Sequence, residues 1–255
     1  MVEKSPDKPA ARRAAAARRP KAEAVATPPA RRPRLRLALR WAGRGLAAVA
    51  GFYGMLILLF GLLPPPINLY QASEAWRLGG IERDWVAWEE IAPVMGRSAV
   101  AAEDANFCSH WGFDMAAIRL AIEEGRNRGA STISQQVVKN VFLWHGRSYL
   151  RKALEAVLTP VVELFWSKRR ILEVYLNVAE FDEGVFGIQA AAQHHFGVDA
   201  KDLTAVQAAR LAAVLPDPKG RSASAPSDFV RSRTRAILSG AQTIAADGRS
   251  ACFDG

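Results

Sequence analysis

The stretch AVAAEDANFCSHWGFDM, residues 99–115, carries the decisive pattern. A run of small apolar residues stops at two adjacent carboxylates, Glu103 and Asp104, and Phe107, Cys108, His110, Trp111 and Gly112 follow at once. A solvated helix face would account for a lone Glu-Asp pair. An apolar run that delivers one carboxylate to a cleft accounts for it too. A carboxylate in a partly apolar setting has the raised pKa that suits a general base. The pair alone does not decide between these readings, and the flanking segments have to.

Those segments are helical. DMAAIRLAIEEG (residues 114–125) opens on Asp114 as an N-cap and closes on Gly125. Ser131 or Thr132 caps a helix through ISQQVVKNVF (133–142). SYLRKALEAVLTPVVELFWS (148–167) places Leu150, Ala153, Leu154, Val157, Leu158, Val161 and Phe165 on one face, with Pro160 expected to kink it. KRRILEVYLNVAEF (168–181) and TAVQAARLAAVL (204–215) are further helices. Strand-like alternation is almost absent, so the fold class is mainly α.

The N-terminal side is different. The chain has 255 residues and a formal charge of +9, but residues 1–44 hold ten Arg and three Lys against three acids. That segment nets +10 and leaves −1 for the rest. A nucleic-acid footprint needs a basic face on the folded domain, so no nucleic-acid partner is expected. Residues 1–40, rich in Ala, Arg and Pro, read as a disordered cytoplasmic tail. Gly45–Leu63 is an uncharged run of 19 residues, which at 1.5 Å each roughly matches the ~30 Å core of a bilayer. A transmembrane helix is assigned to residues 41–63, ended by Pro64–Pro66. Arg31, Arg32, Arg34, Arg36, Arg40 and Arg44 lie just before the uncharged span. By the positive-inside rule they keep the tail cytoplasmic and put the remainder on the periplasmic face of a bacterial inner membrane. Residues 64–98 read as a connector whose Trp76, Trp85 and Trp88 fit either the headgroup level or a core.

Polar residues recur at helical spacing. Gln135 and Lys139 are four apart, as are Gln136 and Asn140. Arg147, Arg151 and Glu155 also step by four, and Lys152 is three from Glu155. These faces suit a sugar-phosphate ligand, and they equally suit water.

Taken together, EDANFCSHWG, GASTISQQ with KN following, RKALE, KRRILEVYLN and GVFGIQAAAQHHFG occur in this order over about 95 residues. They closely resemble the five blocks of the peptidoglycan glycosyltransferase family, over roughly residues 70–220. One departure is Ala130 in Gly129-Ala130-Ser131-Thr132, where the family usually has Gly-Gly-Ser-Thr. The resemblance implies a lysozyme-like glycosyltransferase core at 99–220, followed by a C-terminal helix and tail at 221–255. The monofunctional form is expected, because no Ser-x-x-Lys with Lys-Thr-Gly set follows.

The resemblance further implies a reaction in which a growing lipid-linked glycan is transferred to the 4-hydroxyl of lipid II. The anomeric centre inverts, a β-1,4 bond forms and polyprenyl diphosphate leaves. Glu103 matches the family's base and Glu155 its second carboxylate. Asp104, Phe107, His110, Ser131, Thr132, Gln135, Gln136, Lys139, Asn140, Arg147, Arg151 and Lys152 are the expected substrate-binding residues, with Lys139, Arg147 and Arg151 stabilising pyrophosphate charge. No obligatory metal is expected, although Mg could accompany the pyrophosphate. Expected partners are lipid II, the nascent glycan, the inner membrane and other cell-wall synthesis proteins. Two rivals stand beside this reading: a lytic enzyme of similar fold, since paired carboxylates also serve glycoside hydrolysis, and a non-catalytic membrane-anchored scaffold. Cys108 and Cys252 are either a disulfide, which an oxidising compartment permits, or two unpaired small hydrophobes.

Overall fold

The computed structural model describes residues 33–123, 131–146 and 148–254, so residues 1–32, the Gly129-Ala130 pair and Arg147 lie outside the described residues. The chain divides into Met1–Ala47 and Ala48–Gly255.

Helix α1 spans Pro33–Leu62. It begins earlier than the sequence suggested: residues 33–40, assigned above to an unstructured tail, are helical. Pro33 occupies the first helical position, where its missing N–H costs nothing, and the Leu, Arg and Ala residues that follow are strong helix formers. Among the described residues α1 alone is long and apolar enough to cross a membrane.

In the second unit the end of α1 is tied down. Trp166 Nε1 donates to Ile57 O at 2.7 Å, and Arg170 donates to the carbonyls of Phe60 (2.9 Å) and Leu63 (2.6 Å). Helix α2, Leu69–Leu78, starts with a capping box between Asn68 and Gln71. A short strand β1, Glu82–Arg83, leads to α3, Pro93–Glu103, α4, Met115–Glu123, α5, Ile133–Phe142, and α6, Tyr149–Phe165. Then come α7, Lys168–Val178, strands β2, Glu180–Asp182, and β3, Val185–Phe186, and helix α8, Ile188–Phe196. Helices α9, Ala205–Val214, α10, Asp228–Ala246, and α11, Ala251–Asp254, complete the order.

Helix α7 is the axis of the core. Ile171, Leu172, Val174, Tyr175, Leu176 and Val178 are all buried, so past its first turn the helix lies inside, with Glu173 and Asn177 as its polar members. It packs against α5, while α3, α9 and α10 form a second group. The sequence reading ran this helix to Phe181. It ends at Val178 instead, and the residues after it enter a small sheet in which β3 pairs parallel with β1 and antiparallel with β2. Two glycines permit the close approaches. A Cβ on Gly187 (φ +90°) would meet Asn177 O at 2.9 Å, and one on Gly112 (φ +83°) would meet Thr159 Cγ2 at 2.6 Å. The three connector tryptophans divide: Trp88 is core, Trp76 is exposed, and Trp85 lies half-buried under the Arg170 guanidinium.

The C-terminal segment is part of this fold and no loose tail. Helix α10 packs on α3 and α9. Phe253 is buried against Trp88 and Phe107, and Cys252 is joined to Cys108 by a disulfide. Burying one such ring contributes about 1.5–3 kcal/mol. Closing a loop across a sequence separation of 144 adds about 3–5 kcal/mol in the chain-entropy model. Labelling denatured, unreduced monomer with a thiol reagent should therefore find no free thiol, and reduction should lower the melting temperature. Two labelled thiols per chain would rule the bond out.

Candidate active site

Glu103 is the last residue of α3, delivered to a cleft by the buried run of Met95, Ser98, Ala99 and Val100. Its side chain is 14% exposed. One oxygen accepts from Gln136 Nε2 at 3.1 Å, and the other lies 3.7 Å from Arg233 Nη2. Burial pushes its pKa above the ordinary Glu value, opposed by the Gln136 hydrogen bond and the Arg233 charge. This is a carboxylate poised to take a proton.

The residues around it hold it in place. Asp104 is buried, its Oδ1 2.7 Å from His110 Nε2 and its Oδ2 accepting from Ile133 N at 3.0 Å. Phe107 is 1% exposed, packed beside His110 and Phe253. Lys168 Nζ lies 4.5 Å from the Phe107 ring and donates to His110 O and Glu163 Oε1, each at 2.8 Å. The Phe107 ring is drawn into the core and offers no face to substrate, and His110 Nε2 is taken up by Asp104. Asp104 and Thr132 nonetheless line the cavity beside Glu103. Thr132 caps α5 reciprocally with Gln135 and donates to Gly112 O at 2.7 Å. Gln135 is buried and extends its amide to Glu155 Oε1 at 3.4 Å.

Glu155 is the centre of a cation cluster. It accepts from Arg151 Nη1 at 2.7 Å and from Lys152 Nζ. Arg151 Nε in turn donates to Gly146 O at 3.0 Å. With its oxygens engaged and only 3% of the side chain exposed, Glu155 organises cations and is not a free second acid. Lys152 keeps half its side chain in solvent. Lys139 lies in the cleft, where burial lowers its pKa while Glu155 opposes that shift.

Two cavities lie in this region. One of about 200 Å³ is lined by Glu103, Asp104, Asn106, Asp114, Ser131 and Thr132. The other, of about 220 Å³, is lined by Gln136, Lys139, Asn140, Tyr70, His145 and Glu180. Tyr70, His145, Glu180 and Lys219 escaped the sequence reading. Tyr70 Oη donates to Glu180 Oε2 at 2.6 Å, and its pKa is pushed up to about 12 by burial first and by that bond second. His145 stacks on Tyr70 with 3.9 Å between ring centroids. Burial first, then Lys139 and Arg151, lower its pKa to about 4, so it is neutral at pH 7. Lys219 lies 2.8 Å from Glu74 and 3.6 Å from Glu180. Only the proximity of His145 to the second block pointed to any of them; Tyr70 arrives from α2 and Lys219 from the segment after α9, with no local signal. Arg233, on α10, was missed for the same reason.

The sequence was also compared with known proteins. Residues 72–242 match the family described as Transglycosylase. The chain is 62% identical over 214 residues to a biosynthetic peptidoglycan transglycosylase of Jannaschia sp. (strain CCS1), covering 84% of this chain and 90% of that one. It is 51% identical over 210 residues to the protein of that name in Pseudomonas entomophila (strain L48), covering 78% and 86%. For Cronobacter sakazakii (strain ATCC BAA-894) the figures are 48% over 220 residues, 82% and 91%. A family match over more than half the chain, with relatives this similar over most of both lengths, identifies the lysozyme-like helical core: the chain belongs to the transglycosylase family.

Proposed function

We propose that this enzyme polymerises the glycan of peptidoglycan by transferring a growing lipid-linked chain to the sugar 4-hydroxyl of lipid II. The observation that carries the reading is Glu103, buried beside Gln136 and flanked by a cation cluster that Glu155 holds together. An acceptor hydroxyl is a weak nucleophile and needs a positioned base. Glu103 takes its proton as the oxygen attacks the anomeric carbon from the face opposite the pyrophosphate. The centre inverts, a β-1,4 bond forms and polyprenyl diphosphate departs. Lys139, Arg151 and Lys152 stabilise the charge that builds on the leaving group, since fixed cations in a water-poor site act most strongly on developing charge. Neutral His145 offers a hydrogen bond there without adding charge. Mg bound to the pyrophosphate would arrive with substrate, and the residues described supply the base and cations themselves.

A hydrolytic reading would require a second carboxylate free to act on the sugar. Glu155 is already engaged by Arg151, Lys152 and Gln135, which favours synthesis. The helix α1 anchors the enzyme. We place it in the bacterial inner membrane, with the arginines before the span cytoplasmic and the catalytic domain periplasmic. There it meets lipid II, nascent glycan and other cell-wall synthesis proteins.

Glu103→Gln should lower polymerisation of purified lipid II by about 10²- to 10⁴-fold. In the wild type the base must be ionised, so activity should rise with pH through a value above the ordinary ~4.3 of Glu. Because the folded state binds the Glu103 proton more tightly than the unfolded chain, ionisation costs stability. That cost is absent at low pH and grows as pH rises through the raised pKa. Glu103→Gln should therefore melt no lower than wild type at pH 7; a folded variant with wild-type turnover would remove Glu103 from the mechanism.

Lys139→Ala should cut turnover far more than stability, because the substitution also removes a partly buried charge with little to hold it. An unstable variant of normal specific activity would assign Lys139 to the scaffold. A reporter fused after the last residue should be active only in the periplasm and one fused at the N-terminus only in the cytoplasm; the reverse pattern would overturn the orientation.

A further inference from the structure

At the end of strand β2 away from Glu180, three side chains converge that the reaction does not use. Asp182 Oδ2 lies 3.6 Å from His194 Nε2 and 3.7 Å from His195 Nε2, and the three donor atoms are all within 4.8 Å of one another. These separations exceed the 2.7–3.2 Å of ordinary hydrogen bonds. They lie close to the ~3.4 Å between neighbouring ligand atoms when bonds of about 2.1 Å meet tetrahedrally at one ion. We propose that Asp182, His194 and His195 form a structural site for a zinc-like divalent transition metal, with water in the fourth position.

Polar neighbours orient two of the ligands. The other oxygen of Asp182 accepts from Glu183 N at 2.7 Å, which turns Oδ2 toward the imidazoles. His194 Nδ1 lies 3.4 Å from Glu82 Oε2 on β1. A ligating histidine commonly directs its other ring nitrogen to a carboxylate, which fixes the tautomer and frees Nε2 for the ion. His195 is buried, and its Nε2 reaches Phe181 O only at 3.4 Å, so no strong bond competes for that nitrogen; its Nδ1 has no hydrogen-bond partner, so burial alone holds this ring. Asp182 and His194 are partly exposed, giving an ion access. Two imidazoles and one carboxylate suit zinc and its neighbours, whereas magnesium and calcium prefer oxygen ligands. Such an ion would clamp α8 to β2, at the end of β2 remote from Glu180 in the cleft wall.

The test uses the full chain in detergent, stripped with a chelator and titrated with Zn²⁺ against a chromophoric competitor. One Zn²⁺ per chain should bind, and Zn²⁺ should raise the melting temperature where equal Mg²⁺ does not. His194→Gln and Asp182→Asn, both at partly exposed positions, should fold and weaken Zn²⁺ binding by at least about 10-fold. Their polymerase activity in chelator should match the stripped wild type. Absence of binding, equal protection by Mg²⁺, or Zn²⁺ affinity unchanged in both variants would overturn the site.

Discussion

Asp104 accepts from two directions at once, and the catalytic geometry depends on it. One oxygen holds His110, the other receives the Ile133 amide at the N-terminus of α5. A carboxylate at that end satisfies an orphan donor and complements the positive end of the helix dipole. The consequence is positional. Helix α5 carries Gln136, Lys139 and Asn140, while Asp104 directly follows the Glu103 that Gln136 must meet. One side chain therefore registers the base against the helix that bears its partner. Leaving the amide and His110 without their acceptor would cost about 1–3 kcal/mol for each unsatisfied buried group, and the larger loss would be the alignment. Lys168 braces the same corner from α7 through His110 O and Glu163.

The two glutamates of the site illustrate how environment divides roles between identical groups. Glu103 is buried with one amide and a distant guanidinium, so burial prevails and its proton affinity rises. Glu155 is buried more deeply but has two cations and Gln135 in direct contact. A carboxylate so engaged has little capacity to act on a sugar. It serves instead to fix Arg151 and Lys152 where a free pair of long cationic chains would wander. Holding those cations in advance reduces the ordering cost at the moment the leaving group gains charge.

Much of this was legible in the residues. Helices α4 to α7 and α9 follow from apolar spacing and from their caps, Asp114, Thr132, Ser148, Ser167 and Thr204. Glu103 and the cations were legible because their spacing and order matched five blocks. What spacing could not reveal was direction. Phe107 and Gln135 lie in those blocks and are buried by the fold, and a linear pattern does not separate a cleft wall from a cleft surface. The small sheet was invisible because strands of two or three residues carry no alternation to detect. Tyr70, Lys219 and Arg233 reach the site across more than a hundred residues or from a separate helix, so only the folded chain assembles them.

The membrane anchor and the cleft are coupled through α7. At its start Arg170 grips the carbonyls of Phe60 and Leu63, and just before it Trp166 grips that of Ile57, so the exit of α1 is fixed to this helix. Further along, Tyr175 is fully buried at the base of the cleft, its hydroxyl 3.5 Å from the Gln136 oxygen. Gln136 then holds Glu103. The path from anchor to base thus runs through one rigid helix and two polar contacts, with no flexible loop between. A buried helix locked to residues 57–63 thus ties the position of the base to the end of α1, where a flexible linker would leave the two independent.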